Sequence, residues 1–201
     1  MAQRTLIAGV GMTPFTTPKA GIPYTQLGVQ AAQDALRDAG IDYRLVQQAY
    51  VGWVYGDSTA GQAVLYDIGL HGIPIINVNN NCSTGSTALY LARQAVESGA
   101  VECALALGFE KMAPGALDKI FPDRPHPLAK FEALVDERYA EASSIPMAIK
   151  LFAAAGKEYQ ERYGADTEVF ARVRAKASRH AEHNERAVFR KPMSPEEVLA
   201  S

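Results

Sequence analysis

Between residues 73 and 109 two apolar runs flank a helical pattern, and no other feature of the chain narrows its fold as far. Residues 73–78 read as a buried strand, residues 86–98 as a helix, and residues 101–109 as a second apolar strand ending at Gly108-Phe109-Glu110. Strand, turn, helix, strand is a crossover unit. The same alternation runs earlier, with β-type runs over residues 5–10 and 49–54 around a helical pattern at 26–39. That helix carries Leu27, Ala31, Ala35 and Ala39 at spacing four, with Gly40 as its stop. The expected class is therefore α/β.

Beyond Met112 the character changes. Pro114, Pro122, Pro125 and Pro127 interrupt the pattern, and the segments that follow carry more charge and fewer β-branched residues. Helical patterns cover residues 130–139, 146–163 and 166–185, and Pro192 with Ser194 introduces a last short helix. A boundary is placed near 113, giving a core domain over 1–112 and a mostly helical domain over 113–201. The sequence stops within a helical pattern, so the chain is read as truncated.

The 201 residues, 48% of them hydrophobic, suffice for a substantial core. Twenty Lys plus Arg against 22 Asp plus Glu leave a net charge of −2, which gives no general electrostatic case for nucleic acid or for a membrane surface. No apolar run has transmembrane length, and the N-terminus has no secretory h-region, so a cytoplasmic protein is expected. Two cysteines without paired Cys or His spacing argue against a disulfide framework or a metal site.

One cysteine is placed for chemistry. Cys82 lies in the polar turn between the strand at 73–78 and the helix at 86–98, close to the unpaired N–H groups of a helix start. Such groups stabilise anions, the thiolate is the form that attacks a carbonyl carbon, and the same donors can hold an oxyanion. Gly85 permits close approach, and Ser83, Thr84 and Ser86 are candidates to satisfy the first-turn donors. The competing reading is an inert cysteine in a turn.

The run Asn77-Val78-Asn79-Asn80-Asn81-Cys82-Ser83-Thr84-Gly85-Ser86-Thr87-Ala88-Leu89 resembles the nucleophile segment of the sterol carrier protein X type of thiolase. Three further stretches agree in order: Val10-Gly11-Met12-Thr13-Pro14-Phe15, Ala106-Leu107-Gly108-Phe109-Glu110-Lys111-Met112, and Ala155-Gly156-Lys157-Glu158-Tyr159 followed by Arg162-Tyr163-Gly164. The resemblance implies the thiolase fold, layered α-β-α-β-α in the full enzyme, with a mixed sheet. This chain would hold the N-terminal half and a helical loop domain. It also implies that Cys82 takes an acyl group from a 3-oxoacyl-CoA in lipid or sterol side-chain breakdown, with coenzyme A and acyl-CoA as substrates and no bound cofactor. The family's activating histidine and second catalytic cysteine would lie in a C-terminal half. A homodimer through the strand before the nucleophile, or a heteromeric partner supplying the other half, is expected. Two alternatives stay open: a thiolase-like retro-aldolase subunit of sterol side-chain degradation, and a non-catalytic thiolase fragment that needs a partner half.

Other residues compete with plainer readings. Cys103, within Cys103-Ala104-Leu105-Ala106-Leu107, reads as a packing residue. Gly9-Val10-Gly11 lacks the third glycine of a dinucleotide fingerprint, since position 14 is Pro14. His71 and His126 read as surface or structural groups. His180 and His183 are three apart on an expected helix with Arg174, Lys176, Arg179, Arg186, Arg190 and Lys191 nearby. His183 and Arg186 are candidates to meet coenzyme A phosphates, against a solvated helix face. Met147 and Phe152 are candidate linings of an acyl or pantetheine channel, against ordinary core packing. Trp53 and Tyr55 carry the same ambiguity.

Overall fold

The structure is a computed structural model and describes residues 4–113, 116, 121, 123–140 and 145–201. Pro114 and Pro122 lie outside the described residues. The chain divides into two compact units, Met1–Met112 and Ala113–Ser201.

The first unit is built on three parallel strands, β1 Gln48–Gly52, β2 Ile75–Val78 and β3 Ala104–Gly108, in the order β2-β1-β3. Gly52 pairs with Val78 on one side and Gly108 on the other, so the three strands end level at their carboxyl edge. The helices are α1 Tyr24–Ala39, α2 Ala60–Tyr66 and α3 Thr84–Glu97. Both crossovers are helical, β1-α2-β2 and β2-α3-β3. The sequence reading did not anticipate α2, because seven residues are too few to establish a helical period.

Successive strand residues face opposite sides of a sheet, and this separates the helices. Val51 faces α2, where a Cβ on Gly61 would stand 2.8 Å from its own Cβ. Gly52 faces α3, where an added Cβ would stand 2.5 Å from Thr84 Cγ2. Helix α1 joins α2, with Gly28 against Val64 and Phe109. Ala49, Val51, Val64 and Leu65 are fully buried between these elements, and a buried Val or Leu contributes about 1.5–3 kcal/mol.

Two expectations are corrected here. The sheet is parallel among the described residues rather than mixed. Residues 5–10 form no strand. Gly9 and Gly11 lie on the backbone of α1 at Ala35, Ala39 and Ala31, and the Val10 N–H donates to the Asp38 carboxylate at 2.8 Å instead of to a ladder. The spacing-four alanines of α1 thus receive this segment, while Gly28 and Ala32 mark the face turned to the core.

The second unit contains α4 Ala129–Arg138, α5 Met147–Tyr163, α6 Glu168–Ala181 and α7 Pro195–Leu199. Lys150 of α5 is 1% exposed and is held by Asp136 at 2.7 Å and Glu132 at 3.2 Å, both from α4. Ser178 of α6 accepts from the Met193 N–H at 2.8 Å, and Ser194 with Glu197 forms a capping box on α7. Helix α6 ends at Ala181, short of the expected 185, so His183 and Arg186 lie in the turns beyond it.

Candidate active site

Three segments leave the carboxyl edge of the sheet together. Residues 53–56 follow Gly52, residues 79–82 follow Val78, and Phe109 with Glu110 follows Gly108. Parallel α/β sheets present their ligand crevices at this edge.

Cys82 is exposed and sits just before Ser83, the residue that opens α3. The asparagine run before it shapes the turn. Asn81 adopts the left-handed conformation at φ 48°, which asparagine tolerates better than most side chains. Asn80 O accepts from the Ser83 N–H at 3.2 Å and its hydroxyl at 2.8 Å, while Asn81 O accepts from the Thr84 N–H at 3.0 Å. The Asn80 N–H donates to Thr84 Oγ1 at 2.8 Å, and Asn80 Nδ2 donates to Thr87 Oγ1 at 3.0 Å.

The hydroxyls therefore do not do what the sequence suggested. Ser83 makes no cap to the first turn, and Thr84 ties back to the preceding loop. Among the described residues the N–H groups of Gly85 and Ser86 are left without an acceptor, which keeps two donors open one turn beyond the thiol. Gly85 also backs onto β3, its Cα 3.7 Å from where a Gly108 Cβ would stand. No hydrogen bond reaches the Cys82 sulfur from the described residues, and none of their His, Cys, Asp or Glu side chains gather into a metal-binding cluster.

Glu110 closes the other side of the edge. Its two carboxylate oxygens accept the N–H groups of Val54 at 2.8 Å and Tyr55 at 3.0 Å, joining the exit of β3 to the exit of β1. Burial, then the Glu110 charge and the Cys82 thiolate, raise the Tyr55 phenol above its ordinary value. Trp53 is structural: its indole N–H donates to Asn77 Oδ1 at 2.7 Å, and the same oxygen takes the Gly61 N–H at 2.8 Å. Sequence reasoning assigned no role to Glu110 or Asn77. A carboxylate directly after Gly108-Phe109 at a strand end was the available signal for the first.

The remaining candidates lie elsewhere. Cys103 precedes β3, half-buried, its thiol pushed up by burial. His71 faces the Val46 carbonyl at 3.2 Å and meets the Tyr43 ring edge-on, and His126 accepts from the Leu128 N–H at 3.1 Å. Met147 is half-buried and Phe152 is 79% exposed, both on α5. His183 is exposed beside Glu182 at 3.8 Å, and Arg186 is exposed. All four belong to the second unit and Cys82 to the first.

Residues 5–200 match the sequence profile of the family described as Thiolase, N-terminal domain. Sterol carrier protein 2 of Gallus gallus is 49% identical over 203 residues, covering 100% of this chain and 37% of that protein. The benzoylsuccinyl-CoA thiolase subunit BbsB of Thauera aromatica is 33% identical over 207 residues, covering 100% of this chain and 49% of its own length. Among solved structures, the Ltp2-ChsH2(DUF35) aldolase superposes with a TM-score of 0.71 at 21% identity, over 94% of this chain and 47% of that one. The chain thus spans well under half the length of the vertebrate sterol carrier proteins it matches. No described helix is long and apolar enough to cross a membrane.

These matches overturn the cytoplasmic expectation, since the sterol carrier protein 2 relatives are peroxisomal and mitochondrial proteins. The lack of a secretory h-region was the wrong criterion, because organelle addresses are read by receptors and need no apolar segment.

Proposed function

The chain belongs to the thiolase family through its N-terminal domain, and from that premise we propose that Cys82 is the acyl-accepting nucleophile of an enzyme acting on acyl-CoA. The supporting observation is the turn itself: an exposed thiol at the carboxyl edge of the sheet, followed by two open N–H donors at Gly85 and Ser86. In thiolytic cleavage of a 3-oxoacyl-CoA, the Cys82 sulfur attacks the carbon of the 3-oxo group. The bond between the second and third carbons breaks, and its electron pair leaves with the acetyl-CoA fragment, which takes up a proton. Coenzyme A thiolate then attacks the acyl-Cys82 carbonyl and releases a shortened acyl-CoA. Open backbone donors favour the oxyanion of each addition.

Proton transfer in both halves needs an acid and a base, and the activity of the whole protein is accordingly assigned to this chain together with a partner half. The outer edge of β2, unpaired among the described residues, and the exposed Leu6, Ile7 and Val10 support association, as a homodimer or with such a partner. Met147, Phe152, His183 and Arg186 are retained as proposed contacts to the acyl-CoA.

The second reading is a retro-aldolase, motivated by a fold shared with the aldolase over 94% of this chain. One experiment separates the two. The chain, alone and with the C-terminal portion of a relative, is given acetoacetyl-CoA with coenzyme A, and separately a 3-hydroxyacyl-CoA. Acetyl-CoA formation that disappears in Cys82→Ala supports the thiolase. Cleavage of the hydroxy substrate that survives in Cys82→Ala supports the aldolase and removes the thiolase reading.

A further inference from the structure

The turn after β1 has no obvious reason to be fixed by a side chain from another strand. Gly52 already pairs with Val78 and Gly108, and the Trp53 N–H donates to the Val78 carbonyl at 3.3 Å. Past that point the ladder ends, and among the described residues Val54 and Tyr55 have no strand partner. Their two N–H groups are taken by the two oxygens of one carboxylate, Glu110, at 2.8 and 3.0 Å, from 56 and 55 residues away in sequence. Hydrogen bonds to a charged acceptor are stronger than neutral ones, and a bidentate pair fixes direction as well as distance. The clamp thus sets the course of residues 53–56.

The residue so placed is Tyr55. Counting from one level row of strand ends, Tyr55 is three residues beyond Gly52, Glu110 two beyond Gly108 and Cys82 four beyond Val78. The phenol is partly buried, and its hydroxyl has no hydrogen-bond partner among the described residues. Several other polar groups at this edge are committed: Asn77 to Trp53, Gly61 and Gln62, Thr84 to Asn80 and Asn81, and Ser83 to Asn80. Tyr55 is left as a side-chain donor with spare capacity. The electrostatic influence of both Glu110 and Cys82 on the phenol agrees with this placement.

We propose that Glu110 is a positioning residue whose clamp on the Val54 and Tyr55 amides holds the Tyr55 hydroxyl at the Cys82 turn, as a donor to the sulfur. This rests on Cys82 as the nucleophile. Glu110 acts through Tyr55 and touches no substrate itself. Glutamine at 110 keeps the size but offers a single acceptor oxygen, and its amide group would face the second backbone N–H donor to donor.

The test is a double-mutant cycle on Glu110→Gln and Tyr55→Phe. It is read by the iodoacetamide alkylation rate of Cys82 in the chain at fixed pH, with Cys103 followed separately by peptide mass. Iodoacetamide needs no acyl-CoA site, so the outcome is independent of whether the chain performs thiolysis. Each single substitution is expected to lower the Cys82 rate by about fivefold, the scale of one ordinary hydrogen bond, and the double variant to fall no further. The Cys103 rate stays unchanged. Losses that multiply in the double variant would overturn the proposal, since Glu110 would then act without Tyr55. So would a Tyr55→Phe variant with the parental rate, a result that stands even if Glu110→Gln does not fold.

Discussion

Replacing Gly52 by alanine is the sharpest perturbation of the edge that carries Cys82. The backbone there is an ordinary strand, so the cost is steric. An added Cβ would stand 2.5 Å from Thr84 Cγ2, 2.9 Å from Thr84 O and 3.0 Å from Thr84 C. Non-bonded carbons rest about 3.5–4.0 Å apart, so the start of α3 must retreat by roughly 1 Å. Thr84 is 4% exposed and cannot swing into solvent. Overpacking of this kind costs about 1–3 kcal/mol. With a urea dependence of about 2 kcal/mol per molar, the midpoint of the first unit should fall by roughly 0.5–1.5 M. Trp53, the single tryptophan, adjoins the site and belongs to that unit, so its fluorescence reports the transition. Adding Thr84→Ser removes Cγ2 but leaves the two backbone contacts, and should restore part of the loss. A Gly52→Ala chain that unfolds at the parental midpoint, or a double variant no better than the single, would refute the packing of α3 on β1.

Five further outcomes are expected. Leu65→Ala, at a position with no exposure, should destabilise the first unit by about 2–5 kcal/mol, measured by the same fluorescence. Lys150→Ala should loosen α4 from α5 by leaving Glu132 and Asp136 facing one another, seen as lost helicity or faster amide exchange in residues 129–138 and 147–163. The Asp136 hydrogen bond raises Lys150 above its ordinary 10.5, so its stabilisation should be complete below that pH and fade as pH climbs through the raised value. Asp42, lowered to about 2 mainly by the Arg44 side chain, should stabilise its turn above pH 3.8 and lose that effect as pH falls toward 2, followed by amide exchange at Arg44. Iodoacetamide at pH 8 should modify Cys82 well before Cys103, whose half-burial hides it and pushes its thiol up.

Much of the architecture was legible because long apolar periods leave few alternatives. Residues 73–109 gave β2, α3 and β3 in the right order, and Gly40 stops α1 in the left-handed conformation expected of it. What failed was short or depended on distant partners. Residues 5–10 alternate like a strand, yet the Gly9 and Gly11 backbones fit against α1 and the Val10 N–H is taken by Asp38. Helix α2 is too short to announce itself, and α6 frays before His183. The position of Cys82 in the turn between β2 and α3 was legible from the strand and helix patterns around it. The Glu110 clamp was not, because local sequence does not say which amides a carboxylate will meet some 55 residues away. Nor did sequence say that Ser83 and Thr84 would bond backward and leave Gly85 and Ser86 open.

The central claim is that Cys82 accepts an acyl group, and peptide mass mapping after incubation with acetoacetyl-CoA addresses it most directly. The predicted result is an acetyl mass on the peptide carrying Cys82, removed by coenzyme A or hydroxylamine and missing in Cys82→Ala, with Cys103 unmodified. No acyl mass on Cys82, either in the chain alone or with the C-terminal portion of a relative present, would contradict it.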